Sequence, residues 1–166
     1  MIERAVEIRQ ATATDASVIA LVLLQAFAEY RSSYTDAGFS ATTPDAEQVK
    51  LRLTEGPVWV ALLAGEIVGT VAAVREADSI YVRGMAVLPD SRGHRIGELL
   101  LRETEAFAVS QNCARLFLST TPFLYRAIAL YEHHGYQRVT NGEHDLHGTP
   151  LFYLEKFIGV ASRKES

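Results

Sequence analysis

Cysteine is almost missing from this chain. Cys113 is the only one in 166 residues, so no internal disulfide can brace the fold. It lies between Asn112 and Ala114 with no metal-ligand pattern nearby, and reads as a structural thiol compatible with a reducing compartment. An excess of basic residues is also missing. Sixteen Lys and Arg face twenty Asp and Glu, a formal charge of −4, which argues against a bulk nucleic-acid binder. No apolar run approaches the roughly 18 residues of a membrane span. The opening stretch Met1 to Glu7 carries two acids and no apolar core, unlike a signal peptide. Repeats, low-complexity tracts and Pro/Gly/Ser-rich linkers are lacking too. The expectation is one domain over 1–159 with a polar tail over 160–166, in the cytoplasm, without nucleic acid or membrane as partner.

Regular elements alternate along the chain. Val6 to Arg9 alternates apolar and polar and predicts a short strand. Thr14 is placed to cap a helix with Asp15 in its first turn, and Val18, Ile19, Val22, Leu23, Ala26 and Phe27 form its buried stripe. Thr35 to Thr43 reads as a loop, and Asp45 to Leu53 as a short helix ended by Gly56-Pro57. Val58 to Leu63 and Ile67 to Val74 predict a hairpin joined by Ala64-Gly65-Glu66. A strand from Ser79 to Leu88, a helix from Arg95 to Ser110 with Ile96, Leu99, Leu100 and Phe107 inward, and a strand from Arg115 to Ser119 follow. Thr121 and Pro122 open a further helix, Gly135 ends it, and Tyr136 to Val139 and Pro150 to Phe157 close the domain around a loop from Asn141 to Thr149. This order implies an α/β (α+β) fold, a mixed sheet with helices on its faces.

The turn after Pro89 carries the most information. A strand stops there, and Arg92-Gly93-His94-Arg95-Ile96-Gly97-Glu98 leads straight into a helix. A helix start offers unpaired N–H groups and partial positive charge, which suits a phosphate oxygen. Arg92 and Arg95 add charge, and Gly97 has no side chain to hold a diphosphate off the backbone. The stretch lacks the Gly-Lys-Ser/Thr of a P-loop and the spaced glycines of a dinucleotide fingerprint. Further on, Leu124, Ala127, Ile128 and Tyr131 share one helical face. A phenol there is either a core aromatic or a proton donor.

Together these blocks resemble motifs A and B of the GNAT N-acetyltransferases. Arg92 and Gly97 match the ends of Gln/Arg-x-x-Gly-x-Gly/Ala, whereas Arg95 replaces the middle glycine. That fits if only its backbone N–H is needed and its side chain points outward. Ala127, Leu130, Tyr131, Glu132, Gly135 and Tyr136 match motif B, whose usual Asn is Leu124 here. The resemblance implies a mostly antiparallel sheet with helices on both faces, splayed into a V between the fourth and fifth strands, and acetyl-CoA as acyl donor. Met85, Ala86 and Val87 would pair with the pantetheine arm, with a bulge near Met85. The stretch Arg92, Gly93, His94, Arg95, Ile96, Gly97 and Glu98 would hold the pyrophosphate, and Tyr131 would be the general acid.

The resemblance implies a small-molecule amine or a peptide amine as acceptor, and direct attack is expected because no Ser or Cys sits in an activating context. Glu29, Tyr30 and Tyr34 at the end of the first helix, Arg83 on the central strand, and His144 with Asp145 are the candidate acceptor residues. Arg83 would meet either an acceptor carboxylate or a neighbouring acid. No general base stands out, and the histidine pairs fit no zinc spacing, so no metal is expected. Two alternatives stay open: a CoA-binding domain without turnover, and a peptide acetyltransferase. Relatives in the family often form homodimers, although nothing in the sequence locates an interface.

Overall fold

A computed structural model describes residues 5–139 and 144–159. The proposed tail over 160–166, and part of the stretch assigned to a loop before the last strand (141–143), lie outside these. The strands are β1 (Val6–Gln10), β2 (Val58–Leu63), β3 (Glu66–Glu76), β4 (Ser79–Val87), β5 (Arg115–Thr120), β6 (Gln137–Arg138), β7 (His144–Leu146) and β8 (Thr149–Phe157). The helices are α1 (Ala16–Phe27), α2 (Asp36–Thr42), α3 (Ala46–Glu55), α4 (Ile96–Ser110) and α5 (Tyr125–His133). The strands form one sheet in the order β1-β2-β3-β4-β5-β8-β6, with β7 on β8. All pairings are antiparallel except β4 with β5.

Two apolar layers sandwich the sheet. On one face Ile19, Val22, Leu23 and Ala26 of α1 and Val49 of α3 pack on Val58, Val60 and Ala72. On the other, Ile96, Leu100, Leu101 and Ala108 of α4 and Tyr131 of α5 pack on Ala61, Val71, Ile80, Val82 and Leu116. Burying side chains of this size stabilises by about 1.5–3 kcal/mol each.

The expected V is present. Parallel pairing of β4 with β5 runs from Ser79–Arg115 to Tyr81–Phe117 and stops there, so Val82 to Val87 and Leu118 to Thr120 separate. The bulge is also present. Ala72 faces Arg83 and Thr70 faces Ala86, so Gly84 and Met85 together oppose Val71. Gly84 has φ +63°, a left-handed conformation that suits the first position of such a bulge. The extra residue reverses the alternation of β4. Ile80 and Val82 belong to the α4-side core, and beyond the bulge it is Met85 and Val87 that pack there while Ala86 joins the α1-side core.

Several boundaries differ from the sequence reading. Thr35 to Thr43 is not a loop but holds α2. Its cap is Thr35, whose Oγ1 accepts from Gly38 N–H at 2.9 Å, and tertiary bonds hold it: Thr35 N–H donates to Thr149 Oγ1 (3.0 Å) and Thr35 Oγ1 to the His147 carbonyl (2.8 Å). The presumed loop ending at Thr149 contains β7, which pairs with β8 across a tight turn. Helix α5 starts at Tyr125, not at Thr121, because Phe123 turns to pack its ring on Tyr30 and Tyr34, 6.0 and 4.8 Å between centroids. Val18 is 42% exposed and outside the α1 stripe. With its flanking turns, Ala13–Ser33 is long and apolar enough to cross a membrane by length and composition, but the α1 stripe packs on the sheet.

The start of α1 is set by Asp15 rather than by Thr14. A 3-10 turn, Ala13–Asp15, precedes the helix. The Asp15 carboxylate accepts the Thr12 N–H at 2.8 Å and receives both guanidinium arms of Arg9, at 2.9 and 3.1 Å. These bonds, that of Arg9 foremost, hold the carboxyl below its ordinary value. A depressed folded value means that the stabilisation is present at neutral pH and disappears as pH falls through it. Asp15→Asn is expected to cost about 1 kcal/mol in urea unfolding at pH 7, a modest figure because Arg9 remains partly in solvent. The gap from the parent protein should close toward acid; a gap constant with pH would contradict this assignment.

Candidate active site

A cavity of about 950 Å³ opens where β4 and β5 part. Met85, Ala86 and Val87 line it from β4, and Arg92, Gly93, Arg95, Ile96, Gly97 and Glu98 from the turn and first residues of α4. Tyr131 lines it from α5, and Tyr30, Tyr34, Arg83, His144 and Asp145 from the far side. Two expected residues fall outside this lining. His94 is exposed on the turn. Glu29 places its carboxylate against Arg92 (3.1 Å) and Arg126 (3.7 Å), so two guanidinium groups neutralise it.

The helix start has the predicted character. The first bond of α4 is Leu99 N–H to the Arg95 carbonyl, 3.1 Å, so the amides of Ile96, Gly97 and Glu98 precede the helix's own ladder. Arg95 is the N-cap at φ 61°, ψ 23°, a conformation in which a middle glycine would be unstrained. Its side chain, 68% exposed, turns outward and binds Glu98 through two bonds of 3.0 and 2.7 Å. This pairing, with Arg102 adding to it, pulls the Glu98 carboxyl down to about 2. Arg95 therefore meets a carboxylate before it meets any ligand. At this end of the cavity Arg92, Arg95 and Arg126 still outnumber Glu29 and Glu98.

Gly97 has a role that the sequence reading did not foresee. A Cβ there would lie 2.7 Å from Leu130 Cδ2 and 3.1 Å from Met85 Cε. The missing side chain thus lets α4 approach α5 and the bulge closely.

Tyr131 is only 6% exposed, and its hydroxyl has no hydrogen-bond partner among the described residues. Burial raises the phenol above its ordinary value, with Tyr34 adding to the shift, so it stays protonated at neutral pH. Arg83 resolves to the plainer of its two readings, since its guanidinium pairs with Glu55 of α3. His144 stacks on Tyr153 at 4.5 Å, and Tyr81 stacks on Phe117 at 5.1 Å. Among the described residues no three His, Cys, Asp or Glu side chains gather as a metal site. The sequence reading passed over Arg52, Tyr81, Phe117, Ser119 and Arg126, which also line the cavity. They come from separate elements and share no local pattern.

Comparison with known proteins agrees with this geometry. Residues 23–136 match the Acetyltransferase (GNAT) family, and the chain belongs to that family. It is 34% identical over 113 residues to the N-acetylaspartate synthetase of Danio rerio, covering 67% of this chain and 40% of that protein. The chain thus spans well under half the length of that relative. It is 31% identical over 137 residues to the N-acetyltransferase YjgM of Escherichia coli K12, covering 79% of this chain and 81% of that one. Among solved structures, the PaiA N-acetyltransferase of Thermoplasma acidophilum, in complex with coenzyme A, matches the fold with a TM-score of 0.79 at 16% identity, over 92% of this chain and 99% of that one.

Proposed function

We propose that this protein transfers an acetyl group from acetyl-CoA to the nitrogen of a small amine by direct attack. The observation that carries the reading is the parted β4–β5 pair, whose cavity has an amide-rich, cationic helix start at one end and a buried, unpartnered phenol in its wall. The residues present fit the donor. The edge of β4 from Val82 to Val87, unpaired with β5, offers backbone groups to the amides of a pantetheine arm. The amides of Ile96, Gly97 and Glu98, with Arg92 and Arg126, suit a diphosphate.

Chemistry would centre on the bulge. Backbone N–H at Gly84–Met85 would polarise the thioester carbonyl. The amine nitrogen bonds to that carbon and loses a proton to solvent, the carbon–sulfur bond breaks, and Tyr131 gives the departing sulfur a proton that solvent replaces. The acceptor end is walled by α2 and the β7–β8 hairpin, tied together through Thr35, which favours a small amine over a peptide.

Release of free thiol from acetyl-CoA, measured across amino acids including aspartate, polyamines and short peptides, tests the proposal. Turnover should appear with at least one small amine, with intersecting initial-rate lines. Tight binding of acetyl-CoA without thiol release on any amine would favour a non-catalytic CoA-binding domain.

A further inference from the structure

Arg52 projects from α3 into the cavity and is half-buried, yet it has no hydrogen bond or ion pair among the described residues. The acid whose charge acts on Arg52, Glu55, lies one turn further along α3 and is engaged by Arg83. Arg83 itself adds to the positive field around Arg52, and the Arg83 Nε is buried without a partner. Glu55 thus answers Arg83, and the charge of Arg52 is left without an ion-pair partner among the described residues. An uncompensated charge drawn partly out of water is costly unless a ligand answers it. Both burial and the Arg83 cation pull the Arg52 guanidinium below its ordinary value, as expected for a cation that lacks its anion.

The position of this charge is specific. Arg52 Nη1 stands 3.1 Å from where a Cβ on Gly84 would be, so the guanidinium rests over the bulge glycine. Gly84 therefore both makes the bulge and leaves the space that Arg52 fills. On the acceptor side, Tyr81 and Phe117 provide a flat apolar wall beside it. We propose that Arg52 is the anchor for a carboxylate on the acceptor, so that the substrate is a free amino acid whose amine lies one or two carbons from its carboxylate. An anion held on Arg52 lies within a few ångströms of the bulge, a span that such an acceptor bridges and a long polyamine does not use. This inference rests on the acetyl-transfer reading for the identity of the amine, but the carboxylate site itself does not.

The experiment therefore has a binding arm and a turnover arm. In the presence of saturating coenzyme A, the twenty free amino acids and their carboxamides are compared by thermal shift and calorimetry. At least one amino acid should bind, its carboxamide at least tenfold more weakly, and Arg52→Gln should lose the difference while keeping its affinity for coenzyme A. In the turnover arm, Arg52→Gln should raise KM for that amino acid at least tenfold, with little change in KM for acetyl-CoA, and Arg52→Lys should recover part of the loss. Equal binding of acid and carboxamide, no binding of any amino acid, or undiminished discrimination in Arg52→Gln would overturn the proposal. Carboxylate binding lost on Arg52→Gln but with no thiol release from any amine would leave this site standing and sink the transferase reading instead.

Discussion

Replacing Tyr131 by Phe should lower turnover at least tenfold while affinity for acetyl-CoA stays within about twofold, a barrier increase of a little over 1.4 kcal/mol. The ring is part of the α4-side core and packs against Tyr136 at 5.8 Å, so Phe keeps the shape and removes only the hydroxyl. That hydroxyl has no partner among the described residues, and its loss should leave thermal stability unchanged. A structural role alone would therefore show nothing, whereas a proton donor to the leaving thiolate would show a drop in kcat without a change in KM. The pH profile adds a second readout. Because burial raises the phenol, ionisation of Tyr131 should not cut the rate on the alkaline side below about pH 10, the ordinary tyrosine value. Full turnover in Tyr131→Phe would remove this residue from the mechanism.

A comparable loss is expected from Gly84→Val, by a different route. A β-branched residue at φ +63° carries a backbone cost of about 1–2 kcal/mol. Its Cβ would also lie 3.1 Å from Arg52 Nη1, displacing the guanidinium. The strand can relieve the strain by flattening the bulge, and then the N–H groups at Gly84 and Met85 no longer converge on one point. Loss of one such donor typically slows acyl transfer about 100-fold or more. Turnover should fall by that order, and stability by about 1–2 kcal/mol, while the amides of Ile96, Gly97 and Glu98, carried on α4 and not on the altered strand, still bind acetyl-CoA. Turnover at the parent level would show that the bulge has no part in the chemistry.

What the sequence could tell was local. The turn from Arg92 to Gly97 and the face of α5 were legible because a strand end, a helix start and a 3.6-residue period all lie within a few neighbours of one another. The bulge was anticipated through the family resemblance, and Gly84 is the residue that makes it. Other features depend on partners distant in the chain. Helix α2 is built from small and polar residues that read as a loop, and it holds because Thr35 reaches Thr149 and His147, more than a hundred residues away. Thr121 and Pro122 look like a helix start, but Phe123 is drawn to Tyr30 and Tyr34 and delays the helix to Tyr125. Arg52 gave no signal at all. It lies on a helix of mixed charge, and only the packing of α3 beside β4 turns it into the wall of a cavity.

The most direct test is calorimetric titration of the purified protein with acetyl-CoA. A single site per chain, with a Kd at or below about 10⁻⁴ M and a matching rise in Tm, is the predicted result. Absence of both heat and thermal protection at millimolar acetyl-CoA would mean that the amides opening α4 hold no diphosphate, and the account of the site would fail with them.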